Sequence, residues 1–96
     1  MNSTKYMIIE TTIFKKDRKS LTKQGVDMGK LQKVITTLAN GEALDKKYRD
    51  HKLNGNYIGY RECHVEPDWL LIYKIEKSKL ILSLTRTGSH SELFNM

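Results

Sequence analysis

Five side chains in the second half of this 96-residue sequence are of the types that move protons and hold phosphate: His51, His64, Asp68, Arg86 and His90. Imidazole titrates near neutrality and serves as acid or base. Arginine binds phosphate through a rigid fork of donors. RNA cleavage without a metal needs three things: a base for the 2′-hydroxyl proton, an acid for the 5′-oxygen leaving group, and a cation for the phosphorane. Charge stabilisation of that last kind is often the largest catalytic term. The five residues supply all three and form the candidate catalytic set. Phe94 and Trp69 are the candidate platforms on which an unpaired base could stack.

Each of these residues has a plainer reading when taken alone. A lone histidine is structural more often than catalytic, and Trp69 shares strand parity with Leu71, Tyr73 and Ile75, as a core residue would. Three histidines with an aspartate and an arginine at strand ends and loops are harder to explain one at a time. Histidine and aspartate are also ordinary metal ligands. The sequence lacks His-x-x-x-His and Cys-x-x-Cys spacings, and it lacks glycine-rich phosphate loops. No metal ligand and no cofactor is therefore expected. Cys63 reads as a buried structural thiol, because a reactive thiolate needs a positive environment.

The elements that must position this set follow from apolar periodicity and punctuation. "KYMIIETT" predicts a short first strand over about Lys5–Glu10. Phe14, Arg18 and Leu21 have helical spacing, and Gly25 stops that helix. Asp27 caps a second helix with Met28, Leu31, Val34, Ile35 and Leu38 on one stripe, ended by Asn40-Gly41. "EALDKKYRDHKLNGN" has little periodicity and reads as a long loop. "YIGYRECHV", "WLLIYKI" and "LILSLT" are three strands joined by short turns, which favours an antiparallel meander. "WLLIY" is apolar on both parities, as a central strand covered on both faces would be.

Alternation in "RECHV" puts Cys63 with Arg61 and Val65, and His64 with Glu62 on the opposite face. Pro67-Asp68 turns the chain so that Asp68 lies close to His64. Leu80, Leu82, Leu84 and Arg86 share parity, and an arginine cannot extend a leucine stripe. The last strand is therefore expected to end or bend at Arg86, freeing its guanidinium. Gly88 permits a change of direction, and Ser89 can cap a terminal turn carrying His90. The fold class expected is α+β: strand, two-helix hairpin, three-strand meander and a short C-terminal turn, with the helices on one side of the sheet.

Residues 1–96 fit one domain. No apolar run approaches the ~18 residues of a membrane span, "MNSTKYMIIE" lacks the apolar segment of a secretory signal, and the lone Cys63 suits a reducing cytoplasm. The net charge is +6, which favours a polyanionic partner. Residues 1–49 hold eleven Lys/Arg against five Asp/Glu, while the rest hold six of each and all three histidines. Lys15, Lys16, Lys19, Lys30 and Lys33 on the two helices are the candidate RNA- or ribosome-binding residues. A solvated helix face is the plainer reading of those lysines.

"DHKLNGNYIGYRECHVEPDWLLIYKI" and "LTRTGSHSELF", with "FKKDRKSL" before them, resemble the YafQ-like branch of the RelE/ParE toxin superfamily. The resemblance runs from about Phe14 to Phe94, and its Arg-Glu-Cys-His, Pro-Asp-Trp-Leu-Leu-Ile-Tyr and Gly-Ser-His-Ser-Glu-Leu-Phe strings are specific. It implies a RelE-like fold and the toxin of a type II toxin–antitoxin system, a ribosome-dependent endoribonuclease that cuts mRNA in the A site. It also implies a cognate antitoxin from an adjacent gene, DinJ/RelB-like, whose complex with the toxin binds operator DNA. The family's functional positions fall on His51, His64, Asp68, Arg86, His90 and Phe94. Arg18 replaces a usual leucine and Tyr57 a common tryptophan, departures that touch packing more than chemistry. Gyrase-directed relatives lack this histidine set. The alternative is a non-catalytic nucleic-acid or antitoxin-binding module of the same fold.

Overall fold

Thr11 starts the first helix. Its backbone is extended (φ −70°, ψ 160°), and its hydroxyl accepts the Phe14 N–H at 2.9 Å, which gives an otherwise orphaned helix donor a partner. In the computed structural model, which describes residues 4–94, this helix (α1) spans Thr12–Gln24 and ends at Gly25 with φ +79°. That left-handed conformation suits glycine. The second helix (α2) spans Met28–Ala39, and the Asp27 carboxylate accepts the Gly29 N–H at 3.0 Å. Its buried stripe is Leu31, Val34, Ile35, Leu38 and Ala39.

The sheet has five strands: β1 (Met7–Glu10), β2 (His51–Lys52), β3 (Arg61–Glu66), β4 (Trp69–Glu76) and β5 (Ile81–Gly88), in the order β1-β5-β4-β3-β2. The expected meander is its centre, antiparallel throughout. β1 adds parallel to β5, with Met7 opposite Ile81 and Glu10 opposite Leu84. A short helix, α3 (His90–Phe94), follows β5.

One expectation is corrected and another is made definite. The segment read as a long loop contains 3₁₀ turns at Lys46–Tyr48 and Gly55–Tyr57, with the two-residue strand β2 between them. Both β2 residues are exposed and are held by backbone pairing to β3, so they show no apolar alternation to read. The last strand, expected to end or bend at Arg86, bends and runs on to Gly88. Tyr73 pairs with Leu84 and Ile72 with Arg86, so Thr85 is an extra residue, a bulge. Leu82 and Leu84 face the helices, and the bulge turns Arg86 to the other face.

The helix-facing core joins Phe14, Leu21 and the α2 stripe to Cys63, Trp69, Leu71, Tyr73, Leu82 and Leu84. A smaller cluster on the opposite face contains Leu70, Ile72 and Leu93, with Leu53, Tyr57, Tyr60 and Phe94 against it. β4 is therefore covered on both sides. Burial of each leucine or isoleucine there contributes about 1.5–3 kcal/mol, and Leu93 uses it to dock α3.

Candidate active site

Residues paired directly across a sheet share a face, and the register sets out the site in two rows. His51 pairs with Glu62, Glu62 with Ile72, and Ile72 with Arg86, one row running from β2 to β5. In the next row His64 pairs with Leu70 and Leu70 with Gly88. Cys63 and Val65, one step out of phase, lie in the helix-facing core, so the alternation expected of "RECHV" holds. Without the Thr85 bulge, Arg86 would point into that core.

Gly88 closes the second row with φ +156°, and a Cβ built there would lie 3.0 Å from Glu92 Oε1. The chain turns there into α3 through a reciprocal cap. The Ser89 N–H donates to Glu92 Oε1 at 2.9 Å, and the Glu92 N–H donates to Ser89 Oγ at 3.2 Å. The next donor, the His90 N–H, goes to Asp68 Oδ1 at 3.0 Å, and the same oxygen takes the His90 Nδ1–H at 2.7 Å. These two bonds, the backbone one first, hold the Asp68 carboxyl below its ordinary range. They also fix the His90 ring with Nε2 directed away from Asp68.

The three imidazoles form a line. His64 lies between His51, with ring centroids 6.3 Å apart, and His90, at 5.7 Å. Each of the other two rings is anchored through Nδ1 to a carbonyl oxygen, which can only accept: His51 to Arg49 at 2.7 Å and His64 to Pro67 at 3.3 Å. All three therefore carry hydrogen on Nδ1 and present Nε2. Glu62, only 6% exposed, places Oε1 3.3 Å from His51 Nε2 and 3.9 Å from His64 Nε2. Asp50, next to His51, accepts from the Tyr73 hydroxyl and from the Arg61 fork at 3.2 and 3.3 Å. Burial and that carboxylate push the Tyr73 hydroxyl well above its ordinary value.

Arg86 reaches the site's face but is not free. Its Nε–H and Nη2–H grip Asp17 of α1 at 3.1 and 3.0 Å, which corrects the expectation of an unengaged guanidinium. The pairing with Asp17 raises the Arg86 pKa further above its already high value. Phe94 packs edge-on against Tyr57 with centroids 6.0 Å apart and is partly buried. Trp69 is a correction. It is 5% exposed, in the helix-facing core, with its indole N–H donating to Thr87 Oγ1 at 3.0 Å, so no base can stack on it. Burial first pushes the Cys63 thiol up to about 12, as expected of an inert core cysteine.

Lys15, Lys16 and Lys19 are exposed on α1, and Lys30 and Lys33 on α2. Lys30 donates to Glu66 at 2.9 Å. With Lys33, Lys47 and Arg49, it lines a groove of ≈700 Å³ that includes His64. Sequence reasoning missed Glu62 and Asp17. Glu62 shares His64's parity, and an acidic residue inside a strand between core positions was the available signal. Asp17 carried none, being 69 residues from its partner.

Residues 6–95 match the family model described as "Bacterial toxin of type II toxin-antitoxin system, YafQ". The chain belongs to the YafQ family. It is 45% identical over 82 residues to the mRNA interferase toxin YafQ of Escherichia coli (strain K12), covering 84% of this chain and 87% of that one. The toxin fold matches a chain of the E. coli DinJ–YafQ toxin–antitoxin complex with a TM-score of 0.85 and 42% identity, covering 94% and 98% of the two chains. It also matches a metal-bound toxin from Helicobacter pylori with a TM-score of 0.88 and 47% identity, covering 93% and 99%.

Proposed function

We propose that this YafQ-family chain is a ribosome-dependent endoribonuclease that cuts mRNA in the A site by metal-independent acid–base chemistry. The observation that carries the reading is the His64–His90 pair, 5.7 Å apart, with His90 clamped by Asp68. His64 gives its Nδ1–H to Pro67, so the neutral ring's Nε2 is an acceptor and takes the 2′-hydroxyl proton as that oxygen attacks phosphorus. His51 stands beside it as a second acceptor, and Glu62 stabilises the positive charge that either ring gains. The P–O5′ bond breaks as the protonated Nε2 of His90 gives its proton to the leaving oxygen. Asp68 holds the ring in place for that transfer through the Nδ1 bond. The products are a 2′,3′-cyclic phosphate and a 5′-hydroxyl. Arg86 stabilises the phosphorane through donors that Asp17 leaves open, and Phe94 offers its ring to a base.

Among the described residues no group of three or more His, Cys, Asp or Glu side chains could hold a metal ion. The metal-independent reading rests on the absence of His-x-x-x-His and Cys-x-x-Cys spacings in the sequence, and every step above is assigned to side chains. Overnight chelation should leave cleavage unchanged on ribosomes whose own magnesium has been restored; lost cleavage would make the reaction metal-dependent. The exposed lysines of α1 and the basic groove at His64 suit docking on rRNA. The proposed inhibitor is a DinJ/RelB-like antitoxin from an adjacent gene, through which the complex binds operator DNA. The reaction needs translating ribosomes, so the protein acts in the cytoplasm. No helix of the described residues is long and apolar enough to cross a membrane.

The test is to map mRNA 5′ ends after inducing the protein, beside His90→Gln. New 5′-hydroxyl ends within translated codons are expected from the parent and should fall at least ~10²-fold in the variant. Equal ends from a folded His90→Gln protein would leave a binding module that inhibits by occupancy.

A further inference from the structure

Asp17 lies outside the imidazole line and on a helix that none of the candidate catalytic residues belongs to, yet three hydrogen bonds tie it to the end of β5. Its Oδ2 accepts from Arg86 Nε at 3.1 Å and from the Thr87 backbone N–H at 3.1 Å, and its Oδ1 accepts from Arg86 Nη2 at 3.0 Å. β1 pairs with β5 only as far as Leu84, so Asp17 takes a donor at the strand edge beyond β1. The helix carrying Asp17 is itself tied to the bulge. The Thr11 N–H donates to the Leu84 carbonyl at 3.0 Å, and the Thr11 hydroxyl donates to the Thr85 carbonyl at 2.8 Å.

We infer that Asp17 is a positioning residue for Arg86: it holds the plane of the guanidinium so that the remaining donors are presented to the scissile phosphate. Of five guanidinium N–H groups, Asp17 takes two. Both on Nη1 and the second on Nη2 have no partner among the described residues. A guanidinium gripped on one edge keeps its charge and offers its other edge, whereas an ungripped one samples many rotamers and must be ordered during reaction. The Thr87 N–H orients the carboxylate, so the strand that carries the arginine also aligns its holder. Asp17 never touches substrate; it acts only through Arg86.

The effect on cleavage rests on the proposed role of Arg86, so the test has one arm that reads the pairing without activity. In the ¹⁵N-labelled free protein, Arg86 should give a slowly exchanging Nε–H signal, identified by its loss in Arg86→Lys. Asp17→Asn, which keeps an acceptor for the Thr87 N–H, should broaden or remove that signal. A signal unchanged in Asp17→Asn would overturn the positioning role.

In single-turnover cleavage on programmed ribosomes, Asp17→Asn should lower the maximal rate by ~10- to 100-fold with half-saturation unchanged. In an Arg86→Ala background it should cost nothing further. Losses that multiply in the double variant, or a fall in thermal midpoint large enough to account for them, would make Asp17 structural instead. Full activity of Arg86→Ala would overturn the arginine's proposed role and with it the catalytic consequence, while the resonance would still decide the pairing.

Discussion

His90 and Asp68 are joined through a single carboxylate oxygen. The aspartate accepts the imidazole's Nδ1–H and the backbone N–H of the same residue, and its carboxyl is held below its ordinary range. A carboxyl depressed by folding contributes stability that is present above its unfolded value and is lost as pH falls through the lowered one. The clamp on His90 should therefore hold through neutrality and open only in acid. Asp68→Asn keeps an acceptor for both donors but removes the carboxylate charge beside the ring. Single-turnover cleavage should fall ~10-fold or more at neutral pH, with the His90 N–H still protected from exchange. Unchanged cleavage would show that the carboxylate only shapes the turn. The opposite sign applies at Cys63, whose thiol is raised to about 12. The folded form keeps a proton that the unfolded form gives up, so its contribution is full below the unfolded value and declines as pH rises towards 12. The folded protein should resist a thiol alkylator at pH 8, and rapid labelling would contradict the burial.

At the scale of elements, the site depends on how β5 bends and how α3 docks. α3 has five residues, too few for independent stability, and its only buried side chain is Leu93, packed with Leu70 and Ile72. Leu93→Ala should therefore release α3 locally rather than unfold the sheet. Amide protection should vanish over residues 90–94, and cleavage should fall at least ~10-fold while β3–β4 protection stays. Retained protection and activity would mean that the Ser89–Glu92 cap suffices. The parts of the fold legible in the sequence were those with an apolar period or a strong terminator: α1 and α2, the meander, and the turn at Gly88. β2 was not legible, because two exposed residues held by backbone bonds leave no side-chain pattern. The bulge was half legible, since Arg86 breaking the leucine parity announced a bend but not a strand that continues. The site shows the same division. The histidines and Asp68 could be picked out by residue type, whereas Asp17's partner could not, because Arg86 is brought to it by tertiary folding alone. Trp69 was misplaced as a stacking platform because residue type outweighed its parity with Leu71 and Tyr73.

On the whole molecule, charge and chemistry occupy different parts of the chain. Basic residues exceed acidic ones before residue 50 and match them afterwards. Once Trp69 is assigned to the core, Phe94 is the one stacking candidate left of the two, and it is half committed to Tyr57. A flexible RNA strand loses conformational freedom on binding, and one aromatic ring with a short groove offers little to offset that. On the proposed reading, a ribosome that already holds the mRNA would remove the cost, and the toxin would need only to dock on rRNA with its imidazoles at the scissile bond. Cleavage of naked RNA should therefore be weak and that of translated mRNA strong. Lys15, Lys16 and Lys19 test the docking more cleanly than Lys30, whose ammonium already pairs with Glu66. Reversing those three to glutamate should weaken ribosome binding and flatten the slope of log K against log salt, because fewer counterions are released. The maximal single-turnover rate at saturating protein should remain, since none of the three lies in the imidazole line. An unchanged salt slope in the triple variant would remove α1 from the docking surface, and equal cleavage of free and ribosome-bound RNA would make the protein a self-sufficient ribonuclease.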